Sequence, residues 1–245
     1  MDGVLVREHP LSPAIPEACA LIANRAKIPT EEVLRLIRKE RRRRVESGLY
    51  AEAFDYNAMV RKIASSLHVE SPPPLELMMK KYSPSSFEDA LPALGLLAQH
   101  TLVALTNGYA CFQIPTLDSL GLTPFLKRIV TADAIGFGKP DPRAFAKALQ
   151  GLDGYALSVG DSLFFDVYGS RAAGLASVWL YRRMDDELRP LNPEERVKLL
   201  RGVLSKRLAD EAPWSTEQVV PDYVISDLRE LVDLIDGLST VHRTG

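Results

Sequence analysis

Two periodicities divide the chain. As far as about Tyr82 the apolar positions recur at helical spacing. Ile15, Ala18, Cys19 and Ile22 do so within Pro13–Ala26, and Val33, Leu34, Ile37 and Val45 follow Pro29-Thr30-Glu31-Glu32. A third such set covers Asp55–Leu67, and Ser71-Pro72-Pro73-Pro74 breaks the pattern. Thr30 stands where an N-cap is expected, with two acids in the first turn behind it.

Beyond Tyr82 short apolar runs alternate with helical segments. Strands are predicted at Thr101–Leu105, Arg128–Thr131, Ala156–Val159, Ser177–Tyr181 and Tyr223–Ile225. Helices are predicted at Phe87–Ala98, Phe112–Leu120, Pro142–Leu149, Phe165–Ala173 and Asp227–Ile235, and a charged, helix-like excursion at Met184–Trp214. Strict alternation implies a parallel sheet covered on both faces. The fold class is therefore α/β, a Rossmann-like parallel sheet core with a helical cap. The division is residues 1–12 as the start of the core, 13–82 as the cap and 83–245 as the rest of the core.

Charge narrows the function classes. The 245 residues carry a formal charge of −2, with a pI near 6.1, so no overall field draws nucleic acid or an acidic membrane. Cys19 and Cys111 are the only cysteines, and with four scattered histidines they offer neither a disulfide scaffold nor a zinc site. A reducing, cytoplasmic setting fits, and the N-terminus has no signal-like run. Ala90–Leu117 lacks any Asp, Glu, Lys or Arg, but Pro92, Gly95, Asn107, Gly108 and Pro115 interrupt it, so it reads as buried helix, strand and loop rather than a membrane span.

Ligands of open α/β sheets sit beyond the carboxyl ends of the strands. There the sequence places Thr106-Asn107-Gly108, Gly138-Lys139-Pro140-Asp141 and Gly160-Asp161-Ser162 with Asp166. Singly these read as a turn, a solvated lysine and helix-cap acids. Together they put a hydroxyl, an ammonium and two carboxylates on one rim, a set suited to phosphoryl chemistry and, through hard oxygen ligands, to Mg²⁺. Arg41–Arg44 could form an anion-attracting patch but reads better as a solvated helix; Phe54, Tyr56 and Met59 could face a substrate but read better as packing within the cap, and Cys111, which could edge the site, as a small buried hydrophobe.

These residues resemble the second, third and fourth motifs of the haloacid dehalogenase-like hydrolase superfamily. The resemblance spans about Phe87 to Ile235 and implies a Mg²⁺-dependent phosphomonoesterase acting on a small phosphorylated metabolite through an aspartyl-phosphate. It implies that Thr106, Asn107, Gly108 and Lys139 hold the phosphoryl oxygens, with Thr106 and Lys139 counted among the catalytic groups. It makes Asp2 the general acid/base, and Asp2, Asp161 and Asp166 the metal ligands. Neither nucleic acid nor membrane is an expected partner, and the oligomeric state is open.

The first motif departs from the family pattern. That pattern is a strand ending in Asp-x-Asp-Gly, and Met1-Asp2-Gly3-Val4-Leu5 matches it only from the x position. The nucleophile then falls immediately before Met1, with the central strand that leads into it. Losing about four buried side chains at about 1.5–3 kcal/mol each is comparable to the whole stability of a domain. The expectation is a start further upstream and an inactive chain as written. The competing readings are a catalytically inert module of the same fold and a 2-haloacid dehalogenase. The latter fares worse, because such enzymes lack the second aspartate and usually carry Ser-Asn where Gly160-Asp161 stands.

Overall fold

The computed structural model describes residues 1–204, 206 and 219–241. Five short parallel strands form the centre of the α/β part. β3 (Val103–Thr106) pairs in register with β4 (Arg128–Thr131), so that Thr106 lies beside Thr131. β5 (Leu157–Gly160), β6 (Ala176–Leu180) and β7 (Tyr223–Ile225) form a second parallel ladder in that order. Each strand is followed by helical chain, the connection that parallel pairing requires. The predicted strands lie within two residues of these positions.

The expected single sheet is divided. Among the described residues no backbone hydrogen bond joins β3–β4 to β5–β6–β7. Side chains join them instead. Ile129 from one ladder and Leu157, Val159, Val178 and Leu180 from the other meet in one apolar cluster with Leu94, Leu117, Leu228 and Leu231. Val4, Leu5 and Val6 are buried in the same cluster. They turn tightly, and the Met1 carbonyl accepts from the amides of Val4, Leu5 and Val6 at 3.2, 2.8 and 3.1 Å.

Two strands not predicted from the sequence, β1 (Val6–Glu8) and β2 (Ser85–Ser86), form an antiparallel ribbon through which the chain leaves and rejoins the α/β part. Between them lie α1 (Leu11–Ala26), α2 (Thr30–Glu46), α3 (Tyr56–Ser66) and the short α4 (Leu75–Met78). These helices enclose a core of their own around Ile22, Val33, Ile37, Met59, Ile63 and Leu75. Asp55 caps α3 by accepting from the Ala58 amide at 2.8 Å. Thr30 is not a cap. It is the first helical residue of α2, because the fixed, extended backbone of Pro29 already occupies the N-cap position.

Elsewhere the differences are local. The helix expected from Phe87 is α5 (Ala90–Leu96), and α6 (Ala110–Ser119) follows β3. After β4 come α7 (Ala132–Ile135) and α8 (Pro142–Leu149). The helix expected at Phe165–Ala173 opens as a π-helical turn, Leu163–Tyr168, before α9 (Gly169–Ala172). Within Met184–Trp214 a helix, α10 (Pro193–Leu199), carries an Asn192–Glu195 capping box, and the end of that excursion lies outside the described residues. Glu230–Val241 closes the order. Cys111 is exposed rather than buried, because the inward face of α6 runs through Phe112, Gln113, Thr116 and Leu117. No helix among the described residues is long and apolar enough to cross a membrane.

Candidate active site

One cavity of about 390 Å³ lies between the strand ends and the helical segment. Asp2, Thr106, Asn107, Gly108, Lys139, Asp161 and Asp166 all line it. These are the seven residues singled out in the sequence, carried there by β3, β5, the loop after α7 and the turn at Met1–Val6.

Asn107 is the staple of the rim. Its side-chain amide donates to the Lys139 carbonyl at 2.8 Å, and its side-chain oxygen accepts from the Lys139 amide at 2.6 Å. Both residues are buried, so this reciprocal pair fixes one loop against the other without competition from water. Thr106 accepts from the Gly108 amide at 3.1 Å, which shapes the turn beyond β3.

At the end of β5 two carboxylates stand in different electrostatic states. Asp166 accepts from Lys139 Nζ at 2.5 Å and from the Ser162 amide at 3.1 Å. Burial pushes its carboxyl up, but the adjacent ammonium prevails and holds it below the usual range. Asp161 has no side-chain cation within ion-pair distance among the described residues. Burial, and then the charge of Asp166, push its carboxyl up. Glycine makes both placements possible. A Cβ at Gly160 would lie 2.1 Å from Asp166 Cγ, and one at Gly3, whose φ is +73°, would lie 2.2 Å from Asp161 Oδ2. The π-helical turn widens the backbone at this point, a local irregularity common at functional sites.

Three side chains that the sequence did not mark, and three from the helical segment that it did, complete the surroundings. Gln113, only 2% exposed, reaches Asp2 Oδ2 with Nε2 at 3.4 Å, and its Oε1 is buried without a partner. His9 accepts from the Leu11 amide through Nδ1 at 3.1 Å and faces Thr116 Oγ1 with Nε2 at 3.2 Å. Burial pushes its imidazole down, and the neutral tautomer with the proton on Nε2 satisfies both contacts. Arg182 donates to the Gly3 and Val4 carbonyls at 3.1 and 2.6 Å and to Asp89 at 2.9 Å, which holds the turn that carries Asp2. Arg41 lines the cavity from α2. Phe54 and Tyr56 line it too, whereas Met59 packs within the helical segment as expected. Nothing in the periodicity marks Gln113, His9 or Arg182, because each acts through a partner more than 90 positions away.

A family model of haloacid dehalogenase-like hydrolases matches residues 1–174. The chain belongs to the haloacid dehalogenase-like hydrolases. It is 28% identical over 158 residues to a glyceraldehyde 3-phosphate phosphatase of Methanopyrus kandleri, a match covering 62% of this chain and 58% of that protein. It is 37% identical over 105 residues to a phosphoserine phosphatase of Thermus thermophilus, covering 42% of each. The chain thus spans about half the length of these curated relatives. A solved structure, the HAD phosphatase from Thermococcus onnurineus, superposes with a TM-score of 0.68 at 22% identity, over 97% of this chain and 95% of that one. This haloacid dehalogenase-like chain therefore has the Rossmann-like α/β fold that its motifs imply.

Proposed function

We propose that this hydrolase is built to cleave a small phosphomonoester in a Mg²⁺-dependent reaction, in the cytoplasm, with residues 13–82 closing over the site as a cap on the core formed by 1–12 and 83–245. The observation that carries the reading is the pair of carboxylates at the end of β5, one paired with Lys139 and one half-buried with no side-chain ion pair. Curated relatives named as phosphatases of glyceraldehyde 3-phosphate and phosphoserine support it.

The residues fit Mg²⁺. This ion is bound by one or two carboxylates, with waters and phosphate oxygens filling the rest of its shell. The donors in the cavity match that sparse requirement. Asp161, half-buried and without a side-chain ion pair, would hold the ion, Asp2 lines the same cavity, and Asp166, tied to Lys139, would be a more distant acid. Among the described residues no three His, Cys, Asp or Glu side chains come close enough to hold a metal ion by themselves, so Asp2, Asp161 and Asp166 are not a ready-made set of three ligands. Bound there, Mg²⁺ neutralises charge on the phosphoryl oxygens.

The protein's own groups do the rest. Thr106, the amides of Asn107 and Gly108, and the Lys139 ammonium receive the non-bridging oxygens. Asp2 protonates the departing alkoxide and then takes a proton from water. Gln113 holds the Asp2 carboxylate in place. The seat of the attacking carboxylate is the position immediately N-terminal to Met1, so two chains make the test. Residues 1–245 should not turn over p-nitrophenyl phosphate. A form extended upstream by an apolar strand ending in Asp should hydrolyse it with Mg²⁺, stop in EDTA, and lose about 10²–10⁴-fold of its rate on Asp2→Asn. Full activity in EDTA or with Asp2→Asn contradicts the proposal, as does metal-independent release of halide from 2-chloropropionate.

A further inference from the structure

The turn that carries Asp2 stands apart from both parallel ladders. Its own hydrogen bonds close on the Met1 carbonyl, and at its far end Val6 pairs with Ser86 of β2. One guanidinium ties it to the parallel strands. Arg182 stands two residues beyond β6 and donates through Nε to the Gly3 carbonyl at 3.1 Å and through Nη2 to the Val4 carbonyl at 2.6 Å. Nη1 donates to Asp89 Oδ2 at 2.9 Å, and the guanidinium carbon lies 3.7 Å from the centre of the Phe87 ring. With its face and its edges engaged, the plane of the group is fixed.

Asp89 is held at the expense of stability. It is 3% exposed, and its Oδ2 accepts from both Arg182 and the Leu228 amide, at 2.9 and 2.7 Å. Its Oδ1 is buried with no hydrogen-bond partner among the described residues. A buried carboxylate with one idle oxygen destabilises a fold unless something else depends on it. What depends on it lies on the other side of the turn. Gly3 has a φ of +73°, and a Cβ on it would sit 2.2 Å from Asp161 Oδ2. The backbone that Arg182 grips is therefore the backbone against which the Asp161 carboxylate rests. Strand β6 sets both halves, since Trp179 donates to the Asp161 carbonyl at 3.0 Å and Arg182, three residues on, holds the turn.

Resting on the phosphatase reading above, we propose that Arg182 is a positioning residue for the metal site. It does not line the cavity, and it acts through the Gly3 and Val4 carbonyls. By holding them it keeps Asp2 and Asp161 at the spacing that one Mg²⁺ requires, while Phe87 and Asp89 orient the guanidinium in turn. A small ion with a strict octahedral shell tolerates little drift between its donors. Groups that orient the donors are worth about 10–100-fold in metal affinity. A lysine in place of Arg182 keeps a charge beside Asp89 but cannot span two carbonyls and a carboxylate in one plane.

Calorimetric titration of residues 1–245 with MgCl₂, in a buffer free of other divalent ions, reads the effect without turnover. Arg182→Lys and Arg182→Met should weaken Mg²⁺ binding about 10–100-fold. Phe87→Leu, which frees the face of the guanidinium, should weaken it less. Arg196→Met is the control for stability alone, because that buried guanidinium bonds to the Val224 carbonyl and Glu230 and does not line the cavity. It should lower the urea midpoint at least as far as Arg182→Lys does and leave Mg²⁺ affinity unchanged. If Arg182→Met does not fold, Arg182→Lys and Phe87→Leu decide. Wild-type Mg²⁺ affinity in Arg182→Lys, or a loss that Arg196→Met reproduces, overturns the proposal, and the phosphatase reading stands as long as Asp161→Asn removes the binding heat. If wild type gives no Mg²⁺ heat that Asp161→Asn removes, that reading fails and this inference falls with it.

Discussion

Two charged clusters in this molecule are built to opposite rules. In the helical segment a single buried carboxylate, Glu40, receives Arg43, Arg44 and Lys62, each at 2.9 Å. At the end of β5 stand two carboxylates, Asp161 and Asp166, and only Asp166 pairs with a side-chain ammonium, that of Lys139. The first cluster is closed, because each of its cations contacts Glu40 and the excess positive charge sits on Arg43 and Lys62, which are half-exposed to water. The second is open, because Asp161 stands half-buried, without a side-chain ion pair, beside a like charge. A cluster that satisfies itself stabilises the fold, whereas one left short of positive charge is poised for a cation.

The largest expected effect comes from removing the side-chain cation of the open cluster. Lys139→Ala leaves Asp166 buried, unpaired and beside Asp161, and should cost about 3–5 kcal/mol in urea unfolding. Asp166→Asn in the same chain should restore much of that loss, a coupling that a double-mutant cycle measures directly. Simple additivity of the two changes breaks the comparison at its centre.

Glu40→Gln should cost less, about 2 kcal/mol, because Arg43 and Lys62 are half-exposed and return to water. Its pH dependence has a definite sign. The hydrogen bonds from Arg43, opposed by burial and reinforced by Lys62 and Arg44, hold the Glu40 carboxyl well below the usual range. The unfolded chain therefore takes up that proton first. The stabilisation is complete above the ordinary Glu value of about 4.3 and drains away as pH falls below it. The gap in melting temperature between wild type and Glu40→Gln should narrow between pH 5 and about pH 3, and a constant gap would show that the cluster is not closed in this sense. The smallest effect belongs to Arg42→Ala, whose contact with Glu46 is exposed and long, and whose unfolding midpoint should match wild type.

The rim was legible in the sequence for a reason that does not extend to its surroundings. Thr106, Asn107, Gly108, Lys139, Asp161 and Asp166 each follow a short strand or its loop closely, so alternation alone sends them to one edge. Gln113 and Arg182 lie beside Asp2 only after the chain has folded over more than 100 intervening positions. Arg41 was hidden differently. Arginines at four consecutive helix positions point all round the axis, and only the buried face of α2 through Val33, Ile37, Glu40 and Arg44 decides which of them turns to the cavity. Cys111 was misplaced by the same gap, since its apolar character did not tell which side of α6 it occupies. The division of the sheet into two ladders was equally hidden, because strand periodicity does not record which strands pair.

Asp161 is the carboxylate proposed above to hold Mg²⁺. Trp179 reports on it, because its indole Nε1 donates to the Asp161 carbonyl at 3.0 Å. The chain has two tryptophans, so Trp214→Phe leaves Trp179 as the single tryptophan. Titrating that protein with Mg²⁺ should give a saturable change in Trp179 emission that Asp161→Asn abolishes and Glu40→Gln leaves intact. A titration curve unaltered by Asp161→Asn would contradict the account.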